Sequence, residues 1–240
     1  LESYQSVSDN VFFKQNPFRI KTFKRNLLAI IKKFKINPGH STKVLDIGCA
    51  GGAFPKAAHD LGLDPIGIEP SKWLCEEGRR RYGLDLKAGI LQDYDFPDGS
   101  FNLITMWDVV EHLTNPSEVL LEIYRILDNN GYLLVNYPNH ASITRRLFGK
   151  KWPFFLSVHL YYFTPKTIAL MLKQCGFEVI ESKPFWQTLQ LGYIFARAST
   201  YFKLFGGFEK LAMLLKIYHL PLTYNMGQTR VVAKKINANS

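Results

Sequence analysis

Cysteine is scarce in this chain: Cys49, Cys75 and Cys175 are the three among 240 residues. An odd, scattered set builds neither a disulfide framework nor a C-x-x-C metal pair, and it favours a reducing, cytoplasmic setting. No apolar run reaches the roughly 18 residues of a membrane span, and no secretory leader is visible. The chain opens on Leu1 rather than Met, so an upstream segment stays an open expectation. Acid is missing from two long stretches. Asn10 to Leu45 holds nine Lys or Arg and no Asp or Glu, and Asn129 to Phe177 holds six bases and no acid. The formal net charge is +10. Such patches favour anionic partners such as phosphorylated small molecules, acidic headgroups or nucleic acid, and equally suit a solvated basic face. Repeats and low-complexity tracts are absent. Hydrophobic residues make up 47% of the chain, enough for one domain with an elaborated lobe.

What is present is an alternation of strand and helix patterns. Phe18 to Lys35 reads as a basic amphipathic helix with Phe23, Leu27, Ile30, Ile31 and Phe34 at helical spacing. Strands are expected at Val44–Ile47, Pro65–Glu69, Leu86–Leu91, Phe101–Trp107, Tyr132–Tyr137, Phe177–Glu181 and Thr229–Lys234. Helices are expected at Phe54–Leu61, from Pro70–Ser71 through Tyr82, from the Asn115–Pro116–Ser117–Glu118 start to Asn130–Gly131, and from Thr164–Pro165 to Gly176. This order predicts an α/β fold, a doubly wound, mostly parallel seven-stranded sheet with an added helical lobe.

The first strand runs into Asp46–Ile47–Gly48–Cys49–Ala50–Gly51–Gly52, a turn where glycine lets backbone approach a ligand closely and N–H groups can meet polar ligand atoms. Glu69 follows Gly48 by 21 residues, at the end of the second strand, where a carboxylate can accept two ribose hydroxyls. The dinucleotide fingerprint G-x-G-x-x-G does not fit, and Asp46 would repel a pyrophosphate; it suits a cationic ligand.

This D-x-G-C-x-G-G turn with a downstream acid resembles the first motif of class I S-adenosylmethionine-dependent methyltransferases. The resemblance implies that Asp46 faces the amino group of the methionine portion, partly through water, and Glu69 the ribose. Gly48, Cys49 and Gly51 would border the cofactor, with Ala50 in place of the usual second glycine. Pro70 would lie beside Glu69. By order along the chain, Gly89–Asp93 would frame the adenine, with Leu91 packed on the ring and Gln92 at its exocyclic amine. Trp107 and Asp108 would border the methionine end.

Trp107–Asp108–Val109–Val110–Glu111–His112 falls at the carboxyl end of the fourth strand, the edge where open α/β sheets bind ligands. If this run turns helical, Asp108, Glu111 and His112 share a face and could hold a divalent metal or orient a substrate hydroxyl. The D-x-x-E-H run is similar to the branch that includes ubiquinone-biosynthesis O-methyltransferases. Some members of that branch hold a divalent ion with a related cluster, and many carry the run without metal; no metal is expected here. Asn130–Val135 with Tyr137–Pro138–Asn139, and His159–Pro165 with Gly176–Phe177, extend the resemblance over Lys43 to Glu181. His159 and His112 are the candidate bases for methyl transfer to oxygen, because a near-neutral imidazole can take the hydroxyl proton. The alternative is that each merely fixes a loop. His40, His59, His140 and His219 have no such context.

Four regions are expected: a basic amphipathic helix region (1–42), a cofactor-binding core (43–184), an aromatic helical lid or lobe (185–224), and a last strand with a tail (225–240). Phe185 to Tyr224 holds ten aromatics. It reads as a lid, or as a surface for a lipid-like substrate or peripheral contact with the inner face of a membrane. The expected activity is methyl transfer from S-adenosylmethionine to a small-molecule or lipid-like acceptor at a hydroxyl. A non-catalytic cofactor-binding or membrane-associated scaffold is the alternative. A nucleic-acid substrate rests on charge alone: no recognition module is present, and the N/D-P-P-Y signature of amino-methylating enzymes is missing. A dehydrogenase is the remaining reading. Nothing in the sequence sets an oligomeric state.

Overall fold

A computed structural model describes residues 13–39, 41–200 and 204–236. Residues 1–12 and His40 of region 1–42, residues 201–203 of the lobe, and the last four of the tail lie outside the described residues. In chain order the elements are α1 (Asn16–Phe34), β1 (Lys43–Ile47), α2 (Ala53–His59), β2 (Asp64–Glu69), α3 (Lys72–Tyr82), β3 (Asp85–Ala88), β4 (Phe101–Trp107), α4 (Pro116–Ile126) and β5 (Leu127–Pro138). They continue as α5 (Ile143–Phe148), α6 (Pro165–Gln174), β6 (Phe177–Pro184), β7 (Gln187–Gln190), α7 (Leu191–Ser199), α8 (Leu204–Leu214), β8 (Pro221–Tyr224) and β9 (Gln228–Lys235).

Seven strands form one sheet in the order β3-β2-β1-β4-β5-β9-β6. Only β9 is reversed, pairing antiparallel with both β5 and β6. The strand order turns around between β1 and β4, so their carboxyl ends open a crevice at the switch point, where ligands bind in open α/β sheets. Neighbouring residues on each strand are both apolar because both faces are covered. Val44, Leu103, Leu134 and Val232 pack with Leu27 and Ile30 of α1 and Phe54 of α2. Leu45, Ile104, Leu133 and Val231 pack on the other face with Ile123 of α4 and Ile168 of α6.

Local chemistry sets the helix ends. Ser71 and Asn115 cap α3 and α4 by accepting the N–H of Leu74 and Glu118, and Thr164 caps α6 from Thr167. Four expectations are corrected. β3 ends at Ala88, and Leu91 opens a single 3-10 turn over Leu91–Asp93. Asn130–Gly131 does not stop α4, which ends at Ile126; Leu127–Pro138 is all strand. Gly131 lies within that strand, where a Cβ would stand 2.7 Å from Leu127 Cδ1 and 2.9 Å from Asp128 O, so glycine is needed there beside the register shift against β4. Asp108 takes a left-handed φ of 55°, and only Val110–His112 forms a 3-10 turn, so Asp108 does not share a helical face with Glu111 and His112. Finally, residues 185–224 are not wholly helical: β7 and β8 pair antiparallel, flanking α7 and α8. Among the described residues no helix is long and apolar enough to cross a membrane.

Candidate functional site

The carboxyl end of β1 buries Asp46. Thr105, its register partner on β4, donates Oγ1–H to Asp46 Oδ1 at 2.6 Å. Burial pushes the Asp46 carboxyl up to about 8; the Thr105 bond pulls it down, and the Glu69 charge adds a further push upward. The following turn passes through left-handed backbone at Gly48 (φ 73°), Ala50 (φ 46°) and Gly52 (φ 79°). At Gly48 a Cβ would also stand 2.4 Å from Val109 Cγ2, so glycine is required there on two grounds. Asp46, Gly48, Cys49 and Gly51 line a cavity of about 250 Å³, as do Trp107 at the end of β4 and Asp108 just after it. Aromatic rings pack around it: Trp107 lies 4.8 Å from Phe23, 5.4 Å from Phe54 and 5.1 Å from Phe185, centroid to centroid.

The N–H groups of this turn are mostly spent within the protein, contrary to their expected use on a ligand. Gly48 and Cys49 both donate to Ile68 O, at 2.8 and 3.0 Å, and Gly52 donates to Cys49 O. Ala50 donates to Glu69 Oε2 and Ser71 to Glu69 Oε1, each at 3.0 Å. Glu69 therefore braces the turn as well as ending β2. Burial raises its pKa, and those two backbone bonds oppose the shift. Each of its oxygens retains a lone pair for a hydroxyl.

On the other side of Gly48, Pro70, Leu91, Gln92, Val109 and His112 line a second cavity of about 350 Å³. A third, of about 360 Å³, is lined by Phe148 and Phe154, which follow β5, and by Tyr193, Phe205 and Tyr224 of residues 185–224. Arg19, Asp108 and Gln187 line both the first and the third cavity. Asp108 is fixed at this junction: Gln228 Nε2 donates to its two oxygens at 2.7 and 2.6 Å, and Asn136 Nδ2 donates at 2.8 Å. Burial raises its pKa, while those bonds and the Arg19 charge lower it.

The two candidate bases sit elsewhere. His112 and His159 pack edge to face, 4.6 Å between ring centroids. Neither lines the first or third cavity; His112 lines the second. Their partner is Glu111, whose backbone oxygen accepts Leu160 N–H at 2.8 Å and whose buried carboxylate has no hydrogen-bond partner. Donor atoms of Glu111, His112 and His159 all lie within 4.8 Å of one another. One carboxylate and two imidazoles can hold a divalent cation, so the cluster that could do so contains His159 in place of the expected Asp108. Burial, and after it the Asp108 charge, raises the Glu111 pKa. Burial and His112 lower that of His159.

Several site residues carry no local signal. Gln228 and Asn136 reach Asp108 only because β9 and β5 pair beside β4; they stand 120 and 28 positions further along the chain. Arg19 stands at the basic first helix, where its charge is visible in sequence and its direction is not. Thr105 could have been suspected as a polar residue within an apolar strand.

A methyltransferase-domain family model matches residues 16–182. A protein of Mycolicibacterium smegmatis named as an S-adenosylmethionine-dependent methyltransferase is 27% identical over 137 residues, 57% of this chain and 52% of that one. A ubiquinone biosynthesis O-methyltransferase of Pelagibacter ubique is 31% identical over 132 residues, 50% of this chain and 52% of the relative. The matched segment thus spans about half the length of these relatives. A solved structure of an S-adenosylmethionine-dependent methyltransferase from Thermotoga maritima superposes with a TM-score of 0.61, covering 95% of both chains at 20% identity. The residues present fit the cofactor: a buried carboxylate with a raised pKa lines a glycine-walled cavity, and a braced acid ends β2 beside it. The chain belongs to the class I S-adenosylmethionine-dependent methyltransferases, and S-adenosylmethionine is the cofactor that this family and fold imply.

Proposed function

We propose that this chain catalyses methyl transfer from S-adenosylmethionine to a small-molecule or lipid-like acceptor, at a hydroxyl. The observation that carries the reading is the shared wall of Arg19, Asp108 and Gln187 between the glycine-walled cavity and the aromatic one. When bound, S-adenosylmethionine supplies a methyl group activated on a sulfonium, and the protein's contribution is mainly alignment. Asp46 takes the ammonium of the methionine portion. Gly48, Cys49 and Gly51 give the backbone close approach, and Glu69 accepts the ribose hydroxyls. Pro70, Leu91 and Gln92 receive the adenine in the second cavity. Trp107 offers an aromatic face toward positive charge.

Asp108, held by Gln228 and Asn136 at the junction, receives the acceptor's hydroxyl and its proton. It takes the role that the sequence suggested for His159 or His112, because it is the ionisable acid that lines both cavities. The Glu111 backbone oxygen, which accepts the Leu160 and Tyr161 N–H groups, and His112 Nδ1, which bonds Val158 O at 3.0 Å, hold the 158–161 loop against the 3-10 turn.

Parallel calorimetric titrations with S-adenosylmethionine, S-adenosylhomocysteine and NAD test the cofactor. Binding of the first two alone is expected, and tight binding of NAD alone would overturn the reading. Labelled methyl transfer to a panel of phenols then separates an enzyme from a cofactor-binding scaffold, for which no acceptor would be labelled.

Peripheral membrane contact through residues 185–224 is a second reading, supported by the apolar exposure of the lobe. Leu211, Met213, Leu214 and Leu215 are 46%, 54%, 79% and 56% exposed, beside Lys210 and Lys216. Co-sedimentation with anionic vesicles is expected for the native chain. It should weaken when Leu214 and Leu215 become Ser; equal, negligible binding by both proteins would remove this reading.

A further inference from the structure

Gln187 of β7 starts a directed chain of hydrogen bonds that ends on Asp108. It donates Nε2–H to Gln228 Oε1 at 3.0 Å. Gln228 in turn donates from Nε2 to both Asp108 oxygens, at 2.7 and 2.6 Å. Chemistry dictates the direction. An ionised carboxylate only accepts, so Gln228 turns its NH2 group toward Asp108 and its carbonyl oxygen away. That oxygen then needs a donor, and Gln187 supplies it. Among the described residues Gln187 makes no other side-chain hydrogen bond. Its own carbonyl oxygen is therefore open to accept, on a residue that lines both the first and the third cavity.

A protonated Asp108 would favour the opposite order. Its O–H donates, so Gln228 would turn its carbonyl oxygen inward and its NH2 group outward. That NH2 would meet the NH2 of Gln187 unless the second amide turned over as well. Two carboxamides must thus rotate together for the chain to reverse. The backbone around Gln187 is pinned. Thr188 N–H donates to Thr22 Oγ1 of α1 at 3.0 Å. Gln190 N–H donates to Gln15 Oε1 at 3.2 Å, and Gln15 Nε2 returns a bond to Gln190 Oε1 at 3.1 Å. Gln187 is held by the ribbon and Gln228 by the main sheet, so each amide has a fixed base from which to meet the other.

Resting on the proposed role of Asp108, we infer that Gln187 is a positioning residue of the transfer reaction: by fixing the Gln228 amide, it keeps Asp108 a proton-accepting carboxylate at the junction of the two cavities. A hydrogen-bond donor on the molecule that fills the third cavity, meeting Gln187 Oε1, locks the same direction. Charges also bear on Asp108 from other elements: Arg19 of α1 acts on it, and it acts on Glu111 of the 3-10 turn and Tyr224 of β8. These groups stay in place when Gln187 is replaced, so the comparison of variants isolates the amide chain.

Titration of the Asp108 carboxyl carbon reads the ionisation directly and needs no acceptor. The full chain is labelled with 13C on aspartate, and the Asp108 signal is identified by its loss in Asp108→Asn. Gln187→Leu removes the donor to Gln228 and should raise the midpoint by about half a pH unit or more. Gln187→Glu offers Gln228 no donor while ionised and should raise it at least as far. Gln228→Leu should raise it too, and adding Gln187→Leu to Gln228→Leu should move it no further, because Gln187 acts through Gln228. A role in packing alone would lower the thermal unfolding midpoint and leave the carboxyl titration where it is. Midpoints within about 0.2 of a pH unit of native in both Gln187 variants would overturn the inference. So would a Gln187→Leu shift that persists in full in the Gln228→Leu background. Calorimetric titration of the same native sample with S-adenosylhomocysteine keeps the two readings apart: failure to bind would sink methyl transfer on its own, whatever the carboxyl titration shows.

Discussion

Thr105 Oγ1 donates to Asp46 Oδ1 across the β1–β4 pair, and among the described residues this is the one side-chain hydrogen bond to that buried carboxyl. With its pKa pushed up to about 8, Asp46 is largely protonated at neutral pH in the free protein. An ammonium placed beside it favours the charged form and lowers that pKa. Cofactor binding at pH 7 should therefore release a proton, up to about one per site, and affinity should rise as pH climbs toward 8. Calorimetry in buffers of different ionisation enthalpy measures the release. Asp46→Asn should abolish it and weaken binding by more than tenfold, equivalent to about 1.4 kcal/mol. Without ligand the linkage runs the other way. A carboxyl whose folded pKa lies above its unfolded value of 3.8 gives stability that is full below that value and is lost as pH rises to about 8, so thermal stability should fall more steeply from about pH 4 to about pH 8 in the native protein than in Asp46→Asn, and equally in both above it.

Glu69 has two separable tasks. Its carboxylate accepts the Ala50 and Ser71 N–H groups, and thereby holds a non-glycine residue in left-handed backbone. Glu69→Ala leaves both donors without that partner, which costs about 1–3 kcal/mol for each one that stays buried. Glu69→Gln keeps one acceptor oxygen. The expected order of S-adenosylhomocysteine affinity is native, then Gln, then Ala, with Ala also the least stable on thermal unfolding. An Ala variant that melts like the native chain yet binds no cofactor would assign Glu69 to the ribose alone.

The frame of the fold was legible because apolar runs such as Val44–Ile47 and Phe101–Trp107 are short, separate and punctuated by strong caps. The glycine turn was legible for the same local reason. What escaped depends on contacts distant in sequence. No periodicity tells that Asp108 turns left-handed after β4, because the conformation is fixed by Asn136 and Gln228 from strands that pair later. The Asp108–Glu111–His112 face assumed a helix; the bend removed Asp108 from it and brought in His159, which stands 47 residues beyond His112. The β7–β8 ribbon was likewise hidden, since each strand has only four residues and they enclose two helices.

The bend at Asp108 makes a further distinction testable. Replacing a proton-accepting group lowers turnover by about 10²–10⁴-fold, and that range is expected for Asp108→Asn with the acceptor in hand. His159→Gln, which alters a group outside the junction, should lose far less. Burial raises the Asp108 pKa, and only the ionised carboxylate accepts a proton, so native turnover should rise as pH climbs through that raised value. Gln228→Leu removes the donors that favour the ionised form and should move the rising limb to higher pH. Turnover that vanishes in His159→Gln but survives in Asp108→Asn would return the base to the imidazole.

Glu181 and Arg230 form a buried ion pair between β6 and β9, joined by Lys33 and by Lys183, the latter at 3.0 Å. Arg230 also reaches Asn26 of α1 at 3.2 Å. The pair thus ties the reversed strand to the helix that carries Arg19. Two residues earlier on the same face of β9 stands Gln228, the clamp on Asp108. Glu181→Gln leaves the buried guanidinium without its counter-charge, and breaking such a pair costs about 3–5 kcal/mol. Chemical denaturation should register that loss. Turnover should also fall in the fraction that remains folded, because the register of β9 sets where Gln228 meets Asp108. Replacing the partners together, as Glu181→Leu with Arg230→Met, should recover most of the stability, since a matched apolar pair removes both desolvation penalties. If the double variant is folded but still slow, the ion pair positions the clamp; if it is as fast as the native chain, the pair serves stability alone.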